Sequence, residues 1–345
     1  MNRILISFLF VFSLFQGAWA KNAGIVVACS DAYAKRLYAS LQILRKVHHC
    51  TLPIEVWYAG DELGERAKKY LASVGEVSFY DIAERYGGDP KQYRGYHIKG
   101  FALYASHFDE LILMDADVVF YQDPRKLLDH PKRKQHGAYF FRDREDFKFT
   151  SYNQDQMVYG DRYFTSKFTY EERRNILLHL IPEMTESIPP DWRHYWVRLP
   201  REFDEPIPSE HQDAGCLAID KKRAPKGCKV ALSLNQHHNI LYKYILGDKE
   251  TYWMAFASAK ESFYVNPTHP YRLRTIFEER EMFHMLDNAP FFLQKTPIRS
   301  VNKSMKLIPT GKLAPKRDLS RKEIKWMNKI YDQFIHYEKE YEREE

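Results

Sequence analysis

The sequence predicts an α/β fold: a mixed, mostly parallel sheet flanked by helices. Two observations carry this. From Ala23 to Met114, strand-like apolar runs alternate with segments of helical spacing, the signature of parallel strands joined by right-handed crossovers. The run Leu111 to Met114 is apolar at every position, as in a central strand buried on both faces.

Ala23 to Cys29 (AGIVVAC) reads as the first buried strand, and Asp31 to Val47 as a helix through Leu37, Leu41 and Leu44. Ile54 to Tyr58 is the second strand, ending in Ala-Gly-Asp61. A helix over Glu62 to Val74 follows, then a short strand over Val77 to Tyr80. A helix over His97 to His107 leads into the strand at 111–114. The alternation loosens after Asp123-Pro124, and Gly137 to Phe141 is strand-like. Residues 145–205 are rich in Tyr, Trp, Phe and Arg without clear periodicity. They read as an inserted set of helices and loops near the site, with aromatics that pack the insertion or stack on sugar faces. Gly215 to Ile219 is another buried strand, and Tyr252 to Ala257 continues a helix opened near Asp248. Ser320-x-x-Glu323 is a capping box. It starts an amphipathic closing helix through Ile324, Met327, Ile330, Tyr331, Phe334 and Ile335, to which a packing role is assigned.

The first twenty residues read as a secretory signal: Arg3, an apolar stretch from Ile4 to Phe15, and Ala18-Trp19-Ala20 as a cleavage site, so that Lys21 starts the mature chain. The rival reading is an uncleaved N-terminal anchor. The apolar run is short for a membrane span, which takes about 20 residues. No stable span is expected once the signal is cleaved. No Gly/Ser/Pro linker divides the remainder, which reads as one domain over 21–315 followed by the helical tail at 316–345.

The net charge of +6 is spread evenly. No clustered basic stripe marks a nucleic-acid binder, while a mildly basic surface suits an anionic substrate. The four cysteines include no C-x-x-C pair, which argues against zinc. Export permits disulfides. Cys29 and Cys216 sit in apolar runs and read as buried thiols; Cys50 and Cys228 lie in loop-like surroundings, and no pairing follows.

Function is most legible in Phe108-Asp-Glu-Leu-Ile-Leu-Met-Asp-Ala-Asp-Val-Val-Phe120. Here an apolar strand runs into Asp115-Ala116-Asp117. Two carboxylates one residue apart at a strand end can converge on a hard cation, Mn²⁺ or Mg²⁺, that bridges phosphate oxygens. Ligands of open α/β sheets sit at the carboxyl ends of such strands. The plain structural alternative is a turn with both carboxylates solvated. Together these features point to sugar-nucleotide chemistry, in which a metal holds a diphosphate leaving group.

Further blocks occur in order: His97-Ile-Lys-Gly-Phe-Ala-Leu-Tyr-Ala-Ser106, Tyr121-Gln-Asp-Pro124, Gly137-Ala-Tyr-Phe-Phe-Arg-Asp-Arg144, His211-Gln-Asp-Ala-Gly215 and Gly247-Asp-Lys-Glu-Thr-Tyr-Trp253. With Asp115-Ala-Asp117, the set resembles the fungal-type α-mannosyltransferase family of mannan synthesis, over roughly residues 23–295. It is more distantly similar to the glycogenin-like retaining transferases. The resemblance implies a GT-A fold, Rossmann-like, with a nucleotide half and an acceptor half in one domain. It also implies GDP-mannose as donor, a glycan or glycoprotein acceptor, Mn²⁺ or Mg²⁺, and retention of configuration.

By this resemblance Asp117 is the first metal ligand, and Asp115 assists at the metal or the ribose. Ala28, Ser30, Asp31 and Tyr33 at the first strand end meet base and ribose. Ser30 or Asp31 capping the helix is the structural alternative. Lys99 approaches the donor, against the alternative of a solvated helix lysine. Arg144 or Asp143 holds sugar or diphosphate, or belongs to an ion-pair cluster. Gln212, Asp213 and Gly215 lie under the donor sugar, with Asp213 on its hydroxyls. Asp248 and Lys249 stand in the family's G-D-K block; Asp248 lies near the anomeric carbon or caps its helix. Whether retention uses an enzyme nucleophile or a same-face reaction stays open. The family also supplies a histidine metal ligand near the domain's end. Gln294 stands at that place, with His284 and His269 as substitutes. Two alternatives accompany the mannosyltransferase: a UDP-sugar-dependent enzyme of the same fold, and a catalytically idle glycan-binding relative.

Overall fold

The computed structural model describes residues 22–143, 157–159, 162–164, 212–242, 247–274, 279–294, 306–309 and 317–343. The signal-like segment, Arg144, His211 and most of the 145–205 insertion lie outside the described residues.

The predicted α/β sheet is present. β1 (Ala23–Ala28) lies between β2 (Ile54–Tyr58) and β4 (Glu110–Asp115), parallel to both, and β3 (Val77–Asp81) extends the sheet beside β2. On the other side β9 (Asp213–Asp220) runs antiparallel between β4 and β6 (Ala138–Phe141), and β10 (Tyr264–Asn266) closes the sheet parallel to β6. The order is β10-β6-β9-β4-β1-β2-β3, so β9 alone runs against the rest.

Two apolar cores explain why these strands are hydrophobic at successive positions. Ile25, Val27, Ile112 and Met114 face one core, with Leu37, Leu41 and Leu44 of α1 (Asp31–Lys46). Val26, Leu111 and Leu113 face the other, with Phe101 and Leu103 of α4 (Ile98–Ala105). Alternate side chains of a strand leave opposite faces, so a strand covered on both sides has no polar face. Two short helices, α2 (Glu65–Ser73) and α3 (Ile82–Tyr86), complete this half. The predicted start of α2 at Glu62 is displaced because Gly60 adopts φ +58° and opens a 3₁₀ turn over Gly60–Glu62.

A second, antiparallel sheet has the order β14-β11-β12-β13-β5. It is built from β5 (Val118–Phe120), β11 (Tyr271–Arg274), β12 (Glu279–Leu286), β13 (Ala289–Gln294) and β14 (Lys306–Pro309). A hairpin of β7 (Met157–Tyr159) and β8 (Arg162–Phe164) is described within the insertion. After α5 (Arg125–Asp129) and α6 (Pro131–His136), the later helices are α7 (Pro225–Gln236), α8 (His238–Leu241), α9 (Thr251–Ser258) and α10 (Arg321–Glu342).

The capping box of α10 is reciprocal: Glu323 N–H donates to Ser320 Oγ at 3.2 Å and Ser320 N–H to Glu323 Oε2 at 2.7 Å. Met327, Ile330, Phe334, Tyr337 and Tyr341 are its buried face, and it packs against α1. Among the described residues no helix is long and apolar enough to cross a membrane.

Cys228 corrects one expectation. It lies inside α7, where burial raises its thiol pKa to about 12. Cys50 is likewise buried, and all four cysteines are free thiols.

Candidate active site

Asp115 closes β4 and Val118 opens β5, so Asp115-Ala116-Asp117 is the turn that carries the chain from the first sheet into the second. Other strands reach the same turn. Ala28 at the end of β1 pairs with Asp115. Gln294 at the end of β13 is opposite Val118. Met114 is opposite Cys216 of β9, the pair next to the turn in that register.

α4 delivers Lys99 to this turn. Gly100 makes that approach possible, because a Cβ there would stand 2.5 Å from Asn235 Nδ2 of α7. Lys99 is 6% exposed, which rules out a solvated helix lysine. Its Nζ lies 2.6 Å from Asp115 Oδ1 and 2.9 Å from Asp248 Oδ2. Burial disfavours the ammonium, but the two carboxylates outweigh it and raise the Lys99 pKa. Asp115 is pushed up to about 7. Burial is the main cause, Asp117 and Asp248 push the same way, and Lys99 opposes.

Asp248 does not cap its helix through the side chain. The N-cap of α9 is Glu250, and Asp248 Oδ2 also accepts from Tyr252 O–H at 2.7 Å. The Asp248 carbonyl accepts from Thr251 Oγ1 at 2.6 Å, and Thr251 accepts from Asn235 at 3.0 Å. This ties the Asp248 turn to the helix that packs on Gly100.

Asp213 opens β9 and is 3% exposed. Gly215 N–H and Gln294 Nε2 (2.7 Å) donate to Oδ1, and His284 Nε2 lies 3.3 Å from Oδ2. Burial would raise its pKa. His284, the Gly215 amide and Lys249 outweigh burial and lower it. His284 is stacked on Phe292 with ring centroids 4.3 Å apart and is edge-on to Phe141. His269 is buried in the loop before β11. Gln212 accepts from Trp253 N–H through Oε1 at 2.9 Å, while its buried Nε2 has no hydrogen-bond partner among the described residues.

At the rim, Ser30 occupies the N-cap position of α1 with no side-chain cap bond, and Asp31 instead accepts from Gly64 N–H at 2.9 Å. Tyr33 is 44% exposed. Burial, then Asp117 and Tyr96, raise its hydroxyl pKa, which places it in the field of the motif. Lys249 pairs with Asp143, so two predicted donor contacts hold each other. Sequence reasoning missed Tyr252, and it missed Tyr96, which is 66% exposed with its ring over Gly247 (φ +59°). Tyr252 lies within the Gly247–Trp253 block and Tyr96 adjoins the His97–Ser106 block, but nothing in the spacing singles them out.

The donor chemistry of the turn fits a hard divalent cation. Asp115 and Asp117 are oxygen ligands on one tight turn, and the Asp115 side chain is 30% exposed rather than sealed. A proton competes with a cation for a carboxylate whose pKa lies near neutrality.

A Rossmann-like sheet whose central strand ends in paired aspartates, beside a buried lysine and a third carboxylate, is the framework of a glycosyltransferase. Residues 22–297 match the family model described as "Mannosyltransferase putative", and the chain belongs to that family. It is 26% identical over 292 residues to "Putative alpha-1,3-mannosyltransferase MNN15" of Candida albicans, covering 71% of this chain and 35% of that protein. It is 22% identical over 308 residues to the alpha-1,3-mannosyltransferase MNT3 of Saccharomyces cerevisiae, covering 84% and 46%. The chain thus spans less than half the length of these relatives. Among solved structures it resembles the mannosyltransferase Ktr4p of S. cerevisiae at 12% identity, covering 71% of this chain and 68% of that one, with a TM-score of 0.39.

Proposed function

We propose that this chain is an exported, metal-dependent, retaining mannosyltransferase that moves mannose from GDP-mannose onto a glycan or glycoprotein acceptor. The observation that carries the reading is the Asp115–Lys99–Asp248 bridge at the turn between the two sheets, in a chain of the mannosyltransferase family. The names of the relatives supply mannose. The secretory location rests on the signal-like N-terminus.

Asp115 and Asp117 would hold the divalent cation, which when bound neutralises charge developing on the leaving diphosphate. Lys99 keeps Asp115 and Asp248 in fixed positions and holds positive charge beside the leaving group. Gln212, whose Nε2 has no partner among the described residues, is oriented by Trp253 N–H to donate to the donor sugar or phosphate. Asp248, held by Lys99 and Tyr252, is the carboxylate assigned to the reacting face of the sugar. Tyr33, beside Asp117, is assigned to the nucleotide.

The test is nucleotide release by the purified chain with GDP-mannose and a panel of UDP-sugars, with and without Mn²⁺. Mn²⁺-dependent GDP release from GDP-mannose alone supports the assignment. Release of UDP instead keeps the fold and overturns the sugar. Glycan binding without turnover or nucleotide binding would identify an idle relative.

A further inference from the structure

Asn235 is fully buried in α7 and lies outside every block that the sequence singles out. It nevertheless braces both elements that form the Lys99–Asp248 bridge. On one side it packs on α4. A Cβ at Gly100, the residue after Lys99, would fall 2.7 Å from Asn235 Cβ and 2.6 Å from its Cγ, so the asparagine rests on the helix backbone itself. On the other side it is bonded to the Asp248 turn. Asn235 Nδ2 donates to Thr251 Oγ1 at 3.0 Å, and Thr251 Oγ1 donates to the Asp248 carbonyl at 2.6 Å.

The direction of these bonds requires a donor at position 235. The Asp248 carbonyl can only accept, so the hydroxyl proton of Thr251 is spent on it and Oγ1 must receive its next bond. Asn235 supplies that N–H, gives the other to the Ala231 carbonyl at 2.8 Å, and accepts from Tyr242 O–H through Oδ1 at 2.6 Å. Both N–H groups and the carbonyl are thus engaged within the protein. Buried bonds aligned head to tail polarise and strengthen one another. The chain ends at Asp248, whose Oδ2 accepts from Tyr252 O–H at 2.7 Å and faces Lys99 Nζ at 2.9 Å. Asn235, Thr251 and Asp248 are all buried, so solvent does not compete for these bonds.

We infer that Asn235 is a positioning residue for the transfer: by holding α4 through Gly100 and the Asp248 turn through Thr251, it sets the separation of the Lys99 ammonium and the Asp248 carboxylate. It acts only through these neighbours. The inference rests on the assignment of Asp248 to the reacting face of the sugar. A displacement of about 1 Å in such a group can lower turnover by about 100-fold. Donor contacts made elsewhere are left intact, so the loss falls on kcat and not on KM.

The test is steady-state GDP release from GDP-mannose with Mn²⁺ by the full chain, beside thermal melts. Thr251→Val keeps the shape of the side chain, and the Asp248 carbonyl keeps its bond from the backbone N–H at 251 (2.9 Å), so the start of α9 survives. Its kcat is expected to fall by up to about 100-fold, with the donor KM little changed. Thr251→Ser, which retains the hydroxyl, should restore most of that loss. Asn235→Leu should behave like Thr251→Val. The double variant should be no slower than the poorer single one, because both cut the same chain. Ile330→Val on the buried face of α10 is the control for instability alone, with a lower melting temperature and wild-type kcat. The Thr251 pair decides the matter even where Asn235→Leu fails to fold. Equal kcat in Thr251→Val and Thr251→Ser overturns the inference, as do losses that multiply in the double variant. Asp248→Asn is the reference for the underlying assignment. If wild type releases no GDP, or Asp248→Asn releases it like wild type, both readings fall; if Asp248→Asn loses turnover while the Asn235 and Thr251 variants match wild type, only the Asn235 inference falls.

Discussion

Lys99 Nζ stands 2.9 Å from Asp248 Oδ2, both side chains buried, and the same ammonium reaches Asp115 at 2.6 Å. One cation thus joins the end of β4 to the turn before α9. Taking it away leaves the buried Asp248 carboxylate and the partly exposed Asp115 carboxylate without their shared counter-ion. Lys99→Met is expected to lower stability by about 3–5 kcal/mol and turnover by at least ~100-fold. Lys99→Arg should not restore turnover, because a planar fork does not replace a point charge in this space. Urea unfolding and nucleotide release check both. Wild-type stability in Lys99→Met would show that the bridge does not organise the site.

Asp117 sits on the turn at intermediate exposure, not in the core. Asp117→Asn should therefore stay within about 1 kcal/mol of wild-type stability. Its turnover should fall by roughly 100-fold or more. Paired melting curves and initial rates separate the two effects. Near-normal rates in the folded variant would remove Asp117 from the metal.

The frame was readable because its strands are apolar at successive positions and its connections are local. β1 through β4 and the helices between them follow from Ile25, Val27, Leu111 and Leu113. Asp115 and Asp117 could be found because they end such a strand. What joins them could not. The partners of Lys99 lie on β4 and before α9, and those of Asp213 on β12 and β13, so they meet only through tertiary packing. Asp248 illustrates the difficulty: its place before a helix suggests a cap, yet the geometry gives it to Lys99 and Tyr252.

Gly215 tests whether close backbone approach is needed beneath the amide of Gln294. A Cβ there would lie 1.9 Å from Gln294 Nε2 and 2.8 Å from Asp213 Oδ1. The glutamine is the end of a flexible side chain and can swing away. Asp213 is held by His284 and the Gly215 amide and yields less. Gly215→Ala is expected to cost about 1–3 kcal/mol and to reduce turnover more than stability alone explains. Thermal melts beside kcat and KM for the donor check this. Unchanged kinetics would mean that the Gln294 amide can leave its place without consequence.

His97 gives the fold an acid-sensitive point. Its ring stacks on His238 with centroids 3.5 Å apart, and Nε2 lies 2.7 Å from the Gln92 carbonyl. Burial, aided by His238, lowers its pKa from 6.5 to about 4 despite that carbonyl. The unfolded chain then binds a proton near pH 6.5 that the folded chain refuses until about pH 4. Stability from this group is complete above pH 6.5 and is lost as the pH falls through that window, by up to about 3 kcal/mol. Carboxylates also titrate there, so the measurement is a difference. Urea unfolding of wild type and His97→Gln between pH 7 and pH 4 should give a shallower pH slope for the variant. Equal slopes would mean that His97 takes up its proton as readily in the folded protein as in the unfolded one.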